Sequence, residues 1–336
     1  MTETLVVLDH VVKHFPVGDG FFRSNRAHIH AVNGVSLTIE RGETLGLVGE
    51  SGCGKSTLGL LTLKLLNPDA GHIHFAGQEI THFNDRQMRP LRREMQIVFQ
   101  DPFASLNPRM TIGEIVGEPL IVHRVGTKAQ RRERVAELLT LVGLSKEAET
   151  KYPHEFSGGQ RQRIGIARAI ALTPKLIVAD EPVSALDVSI RGEIVNLLMD
   201  LQDRLGLTSL FISHDLHVVG HISHRIAVMY LGKIMECFPA AEMALARHPY
   251  TQALMSAIPV VRPGKRGKRI VLAGDVPSPL APPRGCPFHP RCRYAQPVCA
   301  EKEPPLESYR EGLVAACHFI REMGPVGDIA QQGGEK

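Results

Sequence analysis

The sequence has no apolar segment that approaches the roughly 18 residues of a membrane-spanning helix, because charged residues interrupt its longest apolar stretches. Its first residues lack the basic segment followed by an apolar one that marks a secretory signal. The formal net charge of +4 over 336 residues is too small to indicate nucleic acid binding by itself. We therefore expect a cytosolic protein with no nucleic acid partner, whose function has to be inferred from its motifs.

Cysteine is scarce, with six residues in the chain. In a reducing cytosol, cysteines are more often thiols, metal ligands or catalytic groups than disulfides. Three of the six lie close together in the stretch GCPFHPRCRYAQPVC at residues 285–299. The composition is otherwise that of a globular protein, with 43% hydrophobic and 22% charged residues. The meaning of the crowded cysteines therefore depends on what the rest of the chain does.

Short apolar runs alternate with helical patterns over most of the chain. The runs KLIVADE and TSLFISHD are typical of strands buried on both faces, and a helix is predicted between them from about residue 190 to 205. Strands that alternate with helices predict an α/β fold with a mostly parallel sheet. Proline and glycine become frequent after about residue 250. We therefore divide the chain into a domain at 1–245 and an extension at 246–336.

The strongest motif is GESGCGKST at residues 49–57, which fits the pattern G-x-x-x-x-G-K-[ST]. It follows a predicted strand and begins a predicted helix, as a phosphate-binding loop requires. Its glycines let backbone N–H groups face the phosphates, and the helix N-terminus adds partial positive charge. We expect Lys55 to reach the β- and γ-phosphates of ATP and Ser56 to coordinate Mg²⁺. The predicted ATP-binding residues of the loop are Gly49, Ser51, Gly52, Cys53, Gly54, Lys55, Ser56 and Thr57.

Two adjacent carboxylates end the predicted strand KLIVADE. A phosphate loop needs a carboxylate for its metal, and we assign Asp180 to the Mg²⁺ shell. Glu181 is then the candidate general base toward the attacking water. The alternative is an ordinary exposed acidic pair at a strand end. The presence of a phosphate loop in the same chain disfavours that alternative.

The segment FSGGQRQR at residues 156–163 resembles the signature motif of ABC-type ATPases. The other motifs of that family occur in order along the chain. Gln100 in IVFQDP resembles the Q-loop glutamine, SALD at 184–187 resembles the D-loop, and His214 in FISHD resembles the switch histidine. Phe15 stands where the family places an aromatic ring that stacks on adenine. Several independent motifs that agree in order and spacing make the resemblance highly specific.

The resemblance covers residue 5 to about 235. It implies a P-loop NTPase core with an antiparallel β subdomain and a helical subdomain at about 101–165, followed here by an extension rich in proline, glycine and cysteine. It also implies that Gln100 and His214 sense or polarise the γ-phosphate, with Gln100 in the Mg²⁺ shell. The residues implied to contact ATP outside the phosphate loop are Phe15, Ser157, Gly158, Gly159, Gln160 and Asp187.

The family works as pairs of ATPase subunits, in which the signature of one subunit closes over the ATP held by the phosphate loop of the other. One signature and one phosphate loop in this chain therefore imply two subunits with two composite sites. The surface near the Q-loop receives a coupling helix of a membrane subunit in the family. Phe103 and Leu106, in the matching stretch DPFASLNPRM, are the contacts that we predict.

Three features indicate a branch of the family. The loop VGDGFFRSNRAHIH after Phe15 is longer than is usual, and both HPYTQALMSAIP and the tail GDVPSPLAPPRGCPFHPRC resemble the ATPases of bacterial peptide importers. The resemblance, nearest to the dipeptide kind, implies a peripheral subunit on the cytosolic face of the inner membrane. The implied partners are a second, related ATPase, two membrane permeases and an extracytoplasmic peptide-binding protein.

Other functions remain open at this point. The same ATPase could serve the import of haem or a nickel complex, because substrate choice lies in the binding protein and permeases. ABC ATPases of DNA repair and translation usually carry two cassettes or a long coiled-coil insertion, and exporters often carry fused membrane spans; the sequence has none of these. The basic run at 262–269 could contact nucleic acid or lipid headgroups, although we favour a solvated linker.

The extension contains a set of four cysteines, Cys286, Cys292, Cys299 and Cys317. Four thiolates could bind tetrahedral Zn²⁺, but zinc sites usually contain C-x₂₋₄-C pairs, which are missing here. Wider, uneven spacing suits a [4Fe–4S] cluster, and the ATPases that the tail resembles include members with one. We favour the iron–sulfur cluster as a structural staple, with zinc and free thiols as alternatives. Neighbouring histidines at 289 and 318 are weaker candidates as ligands. Cys53 is interpreted as a small residue that fits the phosphate loop, with redox regulation as the alternative, and Cys237 is predicted to be a packed thiol.

Overall fold

The structure, a computed structural model, describes residues 3–17, 27–101, 103–257 and 270–326. Within those ranges the strands are β1 (Thr4–Val17), β2 (Ala27–Glu40), β3 (Thr44–Val48), β4 (Ala70–Phe75), β5 (Gln78–Glu79), β6 (Met95–Val98), β7 (Leu176–Asp180), β8 (Thr208–Ser213), β9 (Arg225–Tyr230), β10 (Lys233–Pro239), β11 (Glu307–Arg310) and β12 (Leu313–Ala315). The α-helices are α1 (Lys55–Thr62), α2 (Asp85–Leu91), α3 (Ile112–Val122), α4 (Lys128–Leu141), α5 (Gly158–Ile170), α6 (Val188–Leu205), α7 (Leu216–Ile222), α8 (Pro249–Ser256) and α9 (Pro297–Glu301). The basic run at 262–269 and most of the long loop after Phe15 lie outside the described residues.

The chain is divided into two compact units. Unit 1 consists of residues 1–3, 39–44 and 82–212, and unit 2 of residues 4–38, 45–81 and 213–336. The chain passes between the units several times, so each is assembled from distant parts of the sequence. The predicted boundary between residues 245 and 246 stays a prediction.

Unit 1 is built on three parallel strands and a group of helices. β6 pairs with β7 and β7 pairs with β8, so that Ala179 stands opposite both Val98 and Phe211. The first four residues of β7 are apolar and buried, as the continuous apolar run predicts for a strand covered on both faces. Helices α3, α4 and α5 pack on one another in the region predicted to be helical. The apolar side chains of Val135, Leu138 and Leu139 form the buried core face of α4.

Unit 2 contains an antiparallel sheet in the order β2-β1-β4-β5, which agrees with the expected antiparallel subdomain. It also contains β3, which pairs in parallel with β9 and places Val48 opposite Val228. β10 pairs antiparallel with β9, and the hairpin of β11 and β12 pairs with β10 through Glu236 and Ala315. The extension is therefore joined to the strand system that carries the phosphate loop. Among the described helices, none has both the length and the apolar character that a membrane span requires.

Glu236 fixes the extension to β10 through a buried carboxylate that is 0% exposed. Its Oε1 accepts hydrogen bonds from the N–H groups of Arg247 and His248, at 2.8 and 3.2 Å, and from the hydroxyl of Tyr309, at 2.8 Å. Burial raises the pKa of this carboxyl group, and the three donors partly oppose that rise. One side chain thus joins the strand, the segment before α8 and the β11 hairpin.

We expect Glu236→Ala to lower the free energy of unfolding by on the order of 3 kcal/mol, because three buried donors would lose their acceptor. The measurement is the thermal unfolding midpoint of the purified chain. Glu311→Ala, at an exposed position of the same extension, is the matched control and should change the midpoint little. Equal midpoints for the two variants would contradict the assigned role of Glu236.

Candidate ATP-binding and hydrolysis site

The phosphate loop adopts the conformation that its glycines permit. It joins the end of β3 to the start of α1, as predicted. A Cβ atom at Gly49 would stand 2.1 Å from the carbonyl oxygen of Met229, and one at Gly54 would stand 2.0 Å from that of Ala31. Gly54 also has a φ of 105°, which other residues rarely adopt. The loop therefore closes against neighbouring backbone on both sides, and glycine is required at both positions.

The Lys55 side chain is held by the loop itself. Its Nζ donates to the carbonyl oxygens of Gly49 and Glu50, at 2.8 and 3.0 Å, and the residue is 5% exposed. The first turn of α1 carries no acidic residue, so the helix N-terminus keeps its partial positive charge for an anion. Ser56 is exposed, whereas Cys53 is buried and burial raises the pKa of its thiol. The loop therefore fits the triphosphate of a nucleotide, and the burial of Cys53 agrees with a small residue that fits the loop.

Phe15 lies on β1 and its ring is partly exposed. The Lys13 Nζ stands 5.6 Å from the ring centroid, a distance at which a cation is attracted to the ring face. The exposed part of the ring is a surface on which a flat base could stack.

Unit 1 brings Gln100 and Glu181 together. The Gln100 Nε2 donates to Glu181 Oε2 at 3.3 Å. Glu181 follows Asp180 at the end of β7 and has a φ of 45°, in the left-handed region that costs a residue with a side chain free energy. Its N–H donates to the carbonyl of Ile212 at 2.9 Å, and the Ser184 hydroxyl donates to its carbonyl at 3.0 Å. These hydrogen bonds restrain the peptide groups on both sides of Glu181 and keep its backbone in the left-handed conformation.

The signature motif and the D-loop lie side by side in unit 1. Ser157 caps α5, with its Oγ accepting from the Gln160 N–H at 3.4 Å while the Gln160 Oε1 accepts from the Ser157 N–H at 3.0 Å. A Cβ atom at Gly159 would stand 2.4 Å from Cγ2 of Ile190, which shows how closely α5 approaches α6. Ser157, Gln160 and Asp187 are exposed. The motif therefore presents hydroxyl, amide and N–H groups to the surface of the unit.

His214 directly follows β8 and belongs to unit 2. Its side chain is exposed, and the next residue, Asp215, caps α7 by accepting from the N–H of His217 at 3.0 Å. The histidine is therefore placed by a strand end on one side and a capped helix on the other.

Of the two predicted coupling contacts, one side chain is exposed and the other is buried. Phe103 is 59% exposed, and the Arg161 guanidinium lies 4.1 Å from its ring centroid. Leu106 is 2% exposed, so its side chain belongs to the core of unit 1 and is unavailable to a partner. The prediction of Leu106 as a surface contact was wrong, because an apolar side chain in a loop was taken for an exposed one.

The four cysteines of the extension, Cys286, Cys292, Cys299 and Cys317, line one cavity. Burial raises the pKa of the Cys286 thiol to about 12 and that of the Cys317 thiol to about 11. Across the described residues, no three His, Cys, Asp or Glu side chains come close enough together to hold a single metal ion. The four predicted thiols thus line the same cavity, but among the described residues they do not form a group that could hold a metal ion.

Two histidines border the same cavity. A ring nitrogen of His289 lies 2.9 Å from the Cys286 carbonyl oxygen, and one of His318 lies 3.0 Å from the Lys302 carbonyl oxygen. Because one nitrogen of each ring already has a backbone partner, the cysteines remain the better candidate ligands. Cys237 is buried on β10, away from this set, as predicted for a packed thiol.

Sequence reasoning missed the contacts that the extension makes with the phosphate loop. Glu50 occupies a position that the motif leaves open, yet its carboxylate pairs with Arg291 and its N–H donates to the hydroxyl oxygen of Tyr250. No periodicity or spacing links residues that are 241 positions apart in the chain.

The comparisons with known proteins agree with this geometry. The profile of the ABC transporter family matches residues 32–184, and that of the oligopeptide/dipeptide transporter C-terminal region matches residues 235–299. The dimeric structure of MJ0796, a bacterial ABC transporter cassette, is 31% identical with a TM-score of 0.63, over 70% of this chain and 99% of that one. A post-hydrolysis dimer of the same cassette bound to ADP and Pi gives the same values. Fold and site thus define an ABC-type ATPase, which confirms the predicted fold class.

Whole-chain relatives narrow the class further. The oligopeptide transport ATP-binding protein AppF of Bacillus subtilis is 52% identical over 94% of this chain and 98% of its own length. The dipeptide transport ATP-binding protein DppF of Haemophilus influenzae is 50% identical over 92% of this chain and 94% of its own. The chain belongs to the family of ATP-binding proteins of oligopeptide and dipeptide ABC transporters.

We expect Gly54→Ala to abolish or severely weaken MgATP binding, because the added methyl group cannot coexist with the Ala31 carbonyl oxygen at the required φ. Equilibrium titration of the purified chain with MgATP measures the effect. Gly165→Ala within α5 is the matched control, since no atom lies within 4 Å of its Cβ position and alanine favours the helix. Normal binding by the Gly54 variant would refute the requirement for glycine.

Proposed function

We propose that ATP hydrolysis by this subunit powers the import of dipeptides or oligopeptides across the inner membrane. The observation that carries the proposal is the pairing, in one chain, of an ABC ATPase with a region at 235–299 that matches the C-terminal region of oligopeptide/dipeptide transporters. The names of AppF and DppF support the same class of solute. The subunit lies peripherally on the cytoplasmic face of the membrane. Its partners are a second, homologous ATPase in a heterodimer, two permeases and an extracytoplasmic solute-binding protein.

Residues of the phosphate loop, β1 and the predicted Mg²⁺ shell hold the nucleotide and its metal. In unit 2, the N–H groups of the phosphate loop and the Lys55 ammonium bind the phosphates, and Phe15 stacks on the base. Ser56, Gln100 and Asp180 are the residues that would hold Mg²⁺, which supplies charge neutralisation at the phosphates. Lys55 exchanges its two carbonyl acceptors for phosphate oxygens when the nucleotide binds.

Glu181 acts as the general base toward the attacking water. The Gln100 amide supports this role because its N–H donates to one carboxylate oxygen and thereby orients the group. The left-handed backbone at Glu181 fixes the direction of its Cα–Cβ bond, and the hydrogen bond from Gln100 restrains the carboxylate. His214 then contacts the γ-phosphate as the histidine of the switch.

The second ATPase subunit completes each site. Ser157, Gly158, Gly159 and Gln160 present N–H, hydroxyl and amide groups at the N-terminus of α5, and such an end binds anions. The exposure of Ser157, Gln160 and Asp187 supports a contact with ATP on the partner subunit. ATP binding closes the pair, hydrolysis opens it, and the permeases convert the two states into alternating access.

We expect Glu181→Gln to retain MgATP binding and to lower the hydrolysis rate by at least ~100-fold, because the amide cannot accept the proton of the attacking water. Hydrolysis and uptake of a labelled dipeptide are measured in proteoliposomes that contain both ATPases, the permeases and the binding protein. Glu133→Gln on the exposed face of α4 is the control. Unchanged turnover would overturn the general base, and uptake of haem or a nickel complex without peptide uptake would overturn the substrate class.

The extension holds a [4Fe–4S] cluster at its four cysteines. A single Zn²⁺ with Zn–S bonds near 2.3 Å brings its four sulfurs within about 3.8 Å of one another. The four cysteines line one cavity, and their wide, uneven spacing in the sequence suits a cube with one thiolate at each iron. A bound cluster would draw together a proline-rich segment that has little apolar core of its own.

Protein purified without oxygen is expected to contain about four irons and four acid-labile sulfides per chain. Cys292→Ser should lower both contents, because one iron would lose its thiolate, whereas Cys237→Ser should leave them unchanged. Elemental analysis and the visible absorption spectrum measure the effect. A content of about one zinc per chain would instead support a tetrahedral zinc site. A chain that contains neither iron nor zinc would support free thiols.

A further inference from the structure

Every polar group of Glu50 in the phosphate loop has a partner. Its carboxylate receives Arg291 twice, Nη1 to Oε2 at 2.7 Å and Nη2 to Oε1 at 3.3 Å. Its N–H donates to the Tyr250 hydroxyl oxygen at 2.9 Å, and its carbonyl oxygen accepts from Lys55 at 3.0 Å. The carbonyl oxygen also accepts from the Cys53 N–H at 3.3 Å, and two of the four partners, Arg291 and Tyr250, belong to the extension after residue 245. A residue of the phosphate loop is thus fixed by a part of the chain that lies outside the match to the ABC transporter family.

The arginine is itself rigidly placed. Its side chain is 8% exposed, against 27% for that of Glu50, so the pair is largely removed from water. The Tyr230 hydroxyl lies 3.5 Å from Nη1. The rings of Tyr230, Tyr250 and Phe288 contact one another with centroids 4.8 to 5.4 Å apart. A bidentate ion pair beside these packed rings is a strong geometric constraint, because both the charge and the planar guanidinium must match the carboxylate.

These contacts matter most when a nucleotide binds. Lys55 leaves the Glu50 carbonyl for the phosphates, so Glu50 loses one of its four partners at that moment. Arg291 and Tyr250 then keep its N–H and side chain in place. A loop that is held in its binding conformation before the ligand arrives loses less conformational freedom on binding, which raises affinity.

We propose that Arg291 is a positioning residue for the phosphate loop, through which the C-terminal extension sets the affinity of the subunit for ATP. Arg291 does not contact the reacting atoms in this proposal and acts through Glu50. The proposal rests on the ATP binding proposed above for the same loop. It does not depend on whether a metal occupies the cysteine cavity.

The test compares Arg291→Ala and Arg291→Lys with Arg293→Ala, an exposed arginine two residues along the same segment. Equilibrium binding of MgATP is measured on the full chain, and KM and kcat for ATP on the complete transporter. We expect Arg291→Ala to raise Kd and KM about 10-fold with kcat changed less than about 2-fold, a size typical of coupled contacting residues. Arg291→Lys should recover part of the loss because it keeps the charge but not the fork.

A double-mutant cycle separates the ion pair from a general effect on folding. Glu50→Gln removes the charge of the partner, and the variant with both changes should bind MgATP no more weakly than the worse single variant. Additive losses, or an equal loss in Arg293→Ala, would overturn the proposal. Should Arg291→Ala fail to fold, judged by its thermal midpoint, Arg291→Lys and the Glu50 variant carry the test. A wild-type chain that binds no MgATP would refute the proposed function instead.

Discussion

Two contacts between a glycine and a carbonyl oxygen determine the conformation of the phosphate loop. At Gly49 and Gly54 the main chain approaches the carbonyls of Met229 and Ala31 more closely than any side chain would allow. The first contact requires β3 to pair with β9, and the second requires β2 to pass beside the loop. The ATP site is therefore a consequence of strand pairing, and the helix N-terminus and Lys55 take their positions from it.

In unit 1 the backbone of Glu181 is strained, whereas in unit 2 the phosphate loop depends on close contacts between glycine and neighbouring carbonyl oxygens. Glu181 adopts a left-handed backbone although it has a side chain, and the Ile212 carbonyl and the Ser184 hydroxyl hold it there. A flexible carboxylate at a strand end would sample many directions, whereas this one is restricted by its own peptide groups. The exposed signature at the start of α5 shows the opposite arrangement, with a capped but open surface suited to a ligand carried by another chain.

The sequence was sufficient for everything that depends on local pattern. The phosphate loop, the carboxylates after β7 and the capped signature follow from residue type at fixed spacing, and the apolar run of β7 indicated burial on both faces. Leu106 was placed wrongly because periodicity is absent in a loop, so burial there depends on what folds over it. The Glu50–Arg291 pair could not be found from one sequence, since its position in the motif tolerates many residues and its partner is set by tertiary structure alone.

The pairing of Glu50 with Arg291 also has a consequence for how the protein is made. The two residues are 241 positions apart, and translation at about 5–20 residues per second separates their synthesis by roughly 10 to 50 seconds. Tyr250 follows Glu50 by 200 residues and Arg291 by 241, so the phosphate loop gains these two partners in separate steps of synthesis. A chain that ends before Arg291 therefore carries a phosphate loop in which the Glu50 carboxylate lacks its arginine partner.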